Sequence, residues 1–173
     1  SDITISAGST TGTTAFDPTD DSVYEGNETA IVAITGVSGG SATEDGTQSV
    51  TITISEAGES APTVTLTTSA SSIAENSGSS LTLTATLSNA TDEDVTVAIG
   101  TGSTATEGTD YATISDITIS AGATTGTVSF TPTDDSLYED DEIAAVSITG
   151  VSGGSATENG TQSVTITITE NES

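Results

Sequence analysis

The densest chemistry in this sequence is the run Asp134-Asp135-Ser136-Leu137-Tyr138-Glu139-Asp140-Asp141-Glu142. A counterpart, Asp20-Asp21-Ser22-Val23-Tyr24-Glu25-Gly26-Asn27-Glu28, stands earlier in the chain. Both keep a pair of Asp, then Glu, then Glu, at positions 0, 1, 5 and 8, while Gly26 and Asn27 stand where the later run has Asp140 and Asp141. Further acids stand at expected loop positions: Glu75 after the first strand, Asp110 in EGTDY, and Glu170 with Glu172 just after the last strand. Carboxylates crowded into one turn repel one another unless a cation sits among them. Calcium suits such a site, because it takes six to eight oxygens from carboxylates, carbonyls and water and tolerates irregular loops. The plainer alternative is a solvated acidic loop. Recurrence of the same spacing in two places favours the cation.

The surrounding composition narrows the chemistry further. The 173 residues include 26 Asp plus Glu and no Lys, Arg or His, for a formal charge of −26. Without a cationic side chain, nucleic-acid binding loses its main source of affinity, and an anionic membrane surface repels the chain. No Ser-His-Asp triad, Cys nucleophile, Schiff-base Lys or His-based zinc site can be assembled. Paired carboxylates could serve glycoside hydrolysis, but two Phe, three Tyr and no Trp cannot line a sugar cleft. No enzyme and no small-molecule substrate are expected. Cysteine is absent, so redox compartment is not legible. No apolar run of membrane-spanning length occurs. The chain has no charged-then-apolar leader and opens inside a strand pattern, as a mature or excised segment would.

Composition alone would file such a chain as disordered. Two observations oppose that. The first is that 38 Thr and 26 Ser supply most of the polarity, and Thr is β-branched and favours strands. The second is a self-match at an offset of 114, where 44 of 56 positions of residues 1–56 are identical to residues 115–170. The chain therefore reads as the back half of one repeat (1–56), a linker (57–62) and a complete repeat (63–173). Within each repeat the period is two: Val64/Leu66, Leu81/Leu83/Ala85/Leu87, Ile117/Ile119, Ala144/Val146/Ile148 and Val164/Ile166/Ile168 alternate with Thr or Ser. That pattern predicts half-buried antiparallel strands. The fold class is all-β: an antiparallel, immunoglobulin-like β-sandwich of about seven strands per repeat. Phe16, Phe130, Tyr24 and Tyr138 are expected to be packing residues, and Asp92-Glu93-Asp94 a solvated hairpin tip.

The complete repeat resembles the Calx-β domains, which include calcium-sensing domains of sodium/calcium exchangers and tandem repeats of large bacterial surface proteins. The resemblance rests on IAEN, GSTATEGTDY, ITISAGATTGTVSFTPTDDSLYEDDE and VTITITENE, and covers the whole complete repeat. It implies calcium ligands at Glu75, Asp110, Asp134, Asp135, Glu139 and Glu142, a backbone carbonyl from Leu137, and the terminal acids Glu170 and Glu172. In the first repeat it implies Asp20, Asp21, Glu25, Glu28 and Glu56, with Val23 as carbonyl donor and Glu59 for the terminal run. The family often closes on several consecutive Asp, where this chain has Glu170-Asn171-Glu172. The number of ions per site is left open.

Ligands drawn from loops at one end and from residues just past the last strand would tie the linker to the domain. Calcium would then stiffen a string of repeats, and near-identical adjacent copies suit a spacer. The leading expectation is a calcium-bound stalk or fibre of an extracellular or cell-surface, adhesin-like protein, with neighbouring repeats or identical fibre subunits as partners. One alternative is a fibre subunit whose incomplete first repeat takes strands from a neighbour. Another is a calcium-sensing regulatory domain of a membrane protein. Sequons at Asn27, Asn89, Asn159 and Asn171 would be glycosylation sites in a glycosylating secretory route.

Overall fold

A computed structural model describes residues 2–56 and 58–172. It divides into two compact units, Ser1–Asp21 with Thr29–Ile54, and Ser22–Glu28 with Ser55–Ser173. Ser22–Glu28, Ser55 and Glu56 thus fold with the larger unit, although the sequence assigns them to the first repeat.

Among the described residues thirteen strands occur in chain order: β1 (Val23–Tyr24), β2 (Glu28–Ala33), β3 (Ser49–Ile54), β4 (Thr63–Thr68), β5 (Ser72–Ala74), β6 (Leu81–Leu87), β7 (Ala90–Thr91), β8 (Val95–Ser103), β9 (Ile117–Ile119), β10 (Thr125–Phe130), β11 (Glu142–Ser152), β12 (Thr157–Glu158) and β13 (Ser163–Thr169). A single 3-10 turn, Glu75–Ser77, follows β5. In the larger unit a sheet ordered β10-β6-β4-β12 faces a sheet ordered β5-β13-β11-β8-β9. The chain is an all-β sandwich, as the period of two predicts. Val64, Leu83, Ala85, Val95, Val97, Ile117, Ile119, Phe130, Ala144, Val146 and Ile166 fill the space between the sheets, while Thr and Ser cover the outer faces.

Not every pair is antiparallel. β12 pairs with β4, β13 with β5, and β1 with β7, all in parallel. The cause lies in the opening of the repeat: β4 joins one sheet and β5, only three residues later, joins the other. β5 thus forms the edge of one sheet while β4 lies between β6 and the two-residue edge strand β12 in the other, and each meets a parallel partner on one side. Close approach of backbones also fixes a residue type. A side chain at Gly126 would collide with the Thr118 carbonyl across the β9–β10 corner, and Gly12 stands in the same relation to Thr4.

The smaller unit departs from the strand pattern. Ile3 and Ile5 alternate as Ile117 and Ile119 do, yet no strand forms at residues 2–22, and only β2 and β3 pair. In the complete repeat, β9 is hydrogen-bonded to β8 and β10 to β6, and among the described residues nothing plays the part of β6 or β8 for residues 2–22. A strand without a neighbour has no ladder to satisfy its backbone. The core residues follow suit: Phe16 is 46% exposed against 0% for Phe130, and Ile5 is 58% exposed against 0% for Ile119. The expectation that Phe16 packs is corrected on this point.

Candidate metal centre

The topology of the larger unit brings the acids to one end of the sandwich. β5 and β13 run parallel with Ala74 opposite Thr169. Glu75 and Glu170, each the next residue, therefore leave the sheet side by side. β11 runs antiparallel to β13 and opens with Glu142 opposite Ile168. Its Ala144 lies opposite Ser103, the last residue of β8. The loop after β8, with Asp110, and the loop before β11, with Asp134 to Asp141, consequently emerge at the same end. Asp110 is fixed there by the Thr133 N–H, which donates to its carbonyl at 2.9 Å, and by the Thr106 N–H, which donates to its Oδ2 at 2.5 Å. Next to it Tyr111 is fully buried and stacks on Phe130, with ring centroids 4.9 Å apart.

Two groups of three carboxylates result, Glu75 with Glu170 and Glu172, and Asp110 with Glu139 and Glu142. Within each group, one oxygen per residue lies within 4.8 Å of the others. Two oxygens bound to one calcium can be no farther apart than twice the metal–oxygen distance, about 4.6–5.2 Å, so each group is gathered to the span of a single ion. Both border one cleft, lined by Glu75, Asp110, Glu139, Asp140, Glu142 and Glu170 with Ile168.

The electrostatics show what this crowding costs without a cation. Burial first, then the neighbouring Asp110 carboxylate, pushes the Glu142 carboxyl up to about 7. Glu139 moves up for the same two reasons, and Glu75 chiefly through burial, against the Asp135 N–H that donates to its Oε1 at 3.1 Å. Glu172 moves up because it shares a hydrogen bond with Glu170. Glu170 goes the other way, to about 2, held by the Glu172 N–H at 2.7 Å and the Glu139 N–H at 2.6 Å. Each group thus contains acids whose charged form is disfavoured without a cation. With both carboxyls ionised that shared hydrogen bond is lost, and Glu172 Oε2 is buried without a hydrogen-bond partner. An all-oxygen donor set with one buried oxygen unsatisfied fits a hard divalent ion.

Of the residues expected from sequence, Glu75, Asp110, Glu139, Glu142, Glu170 and Glu172 form these two groups. Asp134 and Asp135 lie beside them, close enough to raise the Glu75 carboxyl. Asp135 Oδ1 accepts the Leu137 N–H at 2.6 Å, and the Leu137 side chain is exposed. Sequence reasoning missed Asp140, which lines the cleft, and Asp141, whose Oδ1 accepts the Glu170 N–H at 3.0 Å. Requiring recurrence in both repeats discarded them, since Gly26 and Asn27 replace them. Their position within the run was the available signal.

Among the described residues no comparable group forms from the first repeat's acids. Asp20 and Asp21 belong to the smaller unit, while Val23, Glu25, Glu28, Glu56 and Glu59 belong to the larger. One contact recurs across the repeats: the Glu25 N–H donates to Glu56 Oε1 at 3.0 Å, as the Glu139 N–H does to Glu170 Oε2. Tyr138 is 62% exposed, against the packing role expected for it. The expected hairpin tip is knitted into the fold, with Glu93 Oε2 accepting the Gly154 N–H at 3.0 Å and Asp94 Oδ1 the Ala121 N–H at 2.8 Å. Among the sequons, Asn27, Asn159 and Asn171 are exposed, while the Asn89 amide donates to the Ser60 carbonyl at 2.7 Å.

Residues 61–171 match the family model described as the LapA domain. Among solved structures, the apo form of the Calx CBD1 domain is similar over 64% of this chain and 98% of that one, at 16% identity and a TM-score of 0.51. CBD12 from CALX1.2 is similar over 57% of this chain and 40% of that one, at 19% identity and a TM-score of 0.49. At these identities the first likeness is one of fold, and the second is too distant to carry more. No curated protein matches the chain. The Calx-β resemblance thus returns as a shared sandwich, while the matching family model is a different one.

Proposed function

From the chain's membership of the LapA domain family, a bacterial adhesin-related family, we propose that it is a calcium-binding structural module of a cell-surface protein. One observation carries the calcium: six carboxylates from four separate segments converge as two ion-sized groups at one end of the sandwich. No cationic side chain is available to balance them, because the chain has no Lys, Arg or His. Glu75, Glu170 and Glu172 would hold one ion and Asp110, Glu139 and Glu142 another, with Asp134, Asp135, Asp140 and the Leu137 carbonyl at hand for further coordination. A bound ion would supply the positive charge that lets these acids stay ionised together. Glu170 and Glu172 lie past the last strand, so an ion there would join the departing chain to the domain. We read the chain as a stretch of tandem repeats that calcium stiffens into a stalk, with no catalytic role.

Calorimetric titration tests this. Binding in the range of extracellular modules, about 10⁻⁴–10⁻³ M, is expected. It should be lost when Glu75 and Glu142 are both changed to Gln. Absence of binding at millimolar calcium would leave only a solvated acidic loop.

A further inference from the structure

The first repeat's acidic segment lends a strand to the larger unit. β1 pairs in parallel with β7, Val23 opposite Ala90 and Tyr24 opposite Thr91. This edge lies at the end of the sandwich away from the carboxylate cleft. There β4 begins opposite the end of β6, with Val64 across from Leu87. Side chains brace the edge against the linker: Asn89 Nδ2 donates to the Ser60 carbonyl at 2.7 Å, and the Thr63 N–H donates to Ser88 Oγ at 3.0 Å. Val23 and Tyr24 are half-buried in this position.

At the same place in the second repeat stand Leu137 and Tyr138, each 62% exposed. Among the described residues no strand pairs with them. Their loop is nonetheless held as the first one is, since the N–H of Glu25 reaches Glu56 and the N–H of Glu139 reaches Glu170 in the same way. This exposed apolar pair in a dense acidic loop occupies the position used for strand pairing one repeat earlier. We infer that Leu137–Tyr138 adds in parallel to the Ala90–Thr91-type edge of a following repeat of the same chain, as Val23–Tyr24 does here. The inference rests on reading the chain as part of a tandem array.

The absence of cysteine makes disulfide trapping a clean test. Residues opposed across strands fall within disulfide reach. Two pairs are compared, Val23→Cys with Ala90→Cys in the chain as it stands, and Leu137→Cys with cysteine at the copy of Ala90 in an extended chain. The extension joins a second copy of residues 60–173 after Ser173, which preserves the 114-residue offset between repeats. Closure of both pairs on mild oxidation, read by peptide mass, is the expected result. Closure of the first without the second overturns the docking, and failure of the first removes the pairing it is drawn from. Each pair is oxidised with calcium and with chelator while thermal unfolding is followed. Failed trapping with an intact calcium shift would sink the docking and spare the metal site. Closure with no calcium shift would support the docking and sink the metal site.

Discussion

At the scale of single residues, the raised carboxyls make the metal-free protein sensitive to pH in a defined direction. Glu142 sits at about 7 in the fold against an ordinary 4.5, so the folded chain keeps a proton that the unfolded chain releases. Its contribution to stability is complete below about 4.5 and is lost as pH rises through about 7. Glu75, Glu139 and Glu172 shift the same way. Glu170, held near 2, acts in a separate window: its contribution is present above 4.5 and lost as pH falls toward 2. Metal-free chain is therefore expected to melt at lower temperature at pH 8 than at pH 5. With saturating calcium the slope should reverse, because protons compete with the ion for the same oxygens. Thermal melts at both pH values, with calcium and with chelator, check the sign. In Glu142→Gln the metal-free slope between pH 5 and 7 should flatten, and calcium affinity should fall roughly tenfold or more as a ligand is lost.

The elements show how much of the fold could be read directly. Alternation of Ile, Val and Leu with Thr marks each principal strand of the complete repeat, since period two is what a sandwich strand requires. Ile117/Ile119 became β9, whereas the identical Ile3/Ile5 did not become a strand. The pattern records a face to bury but not whether a neighbour exists to pair with it. Parallel edges such as β5 with β13 were equally hidden, because register between segments some 90 residues apart leaves no local mark. The site was legible in part. Glu75, Asp110, Glu139, Glu142, Glu170 and Glu172 could be named because they stand in acidic loops that resemble those of the Calx-β domains, but their division into two groups needed the register of β5, β11 and β13. Packing at the β9–β10 corner yields a further test. Gly126→Val would drive a side chain into the Thr118 carbonyl and is expected to cost about 1–3 kcal/mol. Gly102→Ala, with open space around it, should change stability by less than about 1 kcal/mol. Urea unfolding of both variants makes the comparison.

Across the whole molecule, the two units differ in how far they are built. The larger unit has two full sheets over a closed core, while Ile3, Ile5, Phe16, Ile31, Val32 and Ile34 of the smaller unit are each more than 40% exposed. Amide exchange should separate them, with β2 and β3 exchanging at least tenfold faster than β6, β11 and β13. Equal protection would mean that other strands complete the first repeat, as an assembling fibre subunit requires. The charge of −26 acts at this scale as well. Self-repulsion works against the compact state, and ions at the densest cluster relieve it where it is strongest. The central claim, that calcium belongs to the folded structure, is tested most directly by the thermal midpoint of the chain at neutral pH, in chelator and in 10 mM calcium. For sites of about 10⁻⁴–10⁻³ M, linkage gives about 1.5–3 kcal/mol per ion, or a rise of roughly 5–15 °C. A midpoint that does not move between chelator and 10 mM calcium would contradict the account.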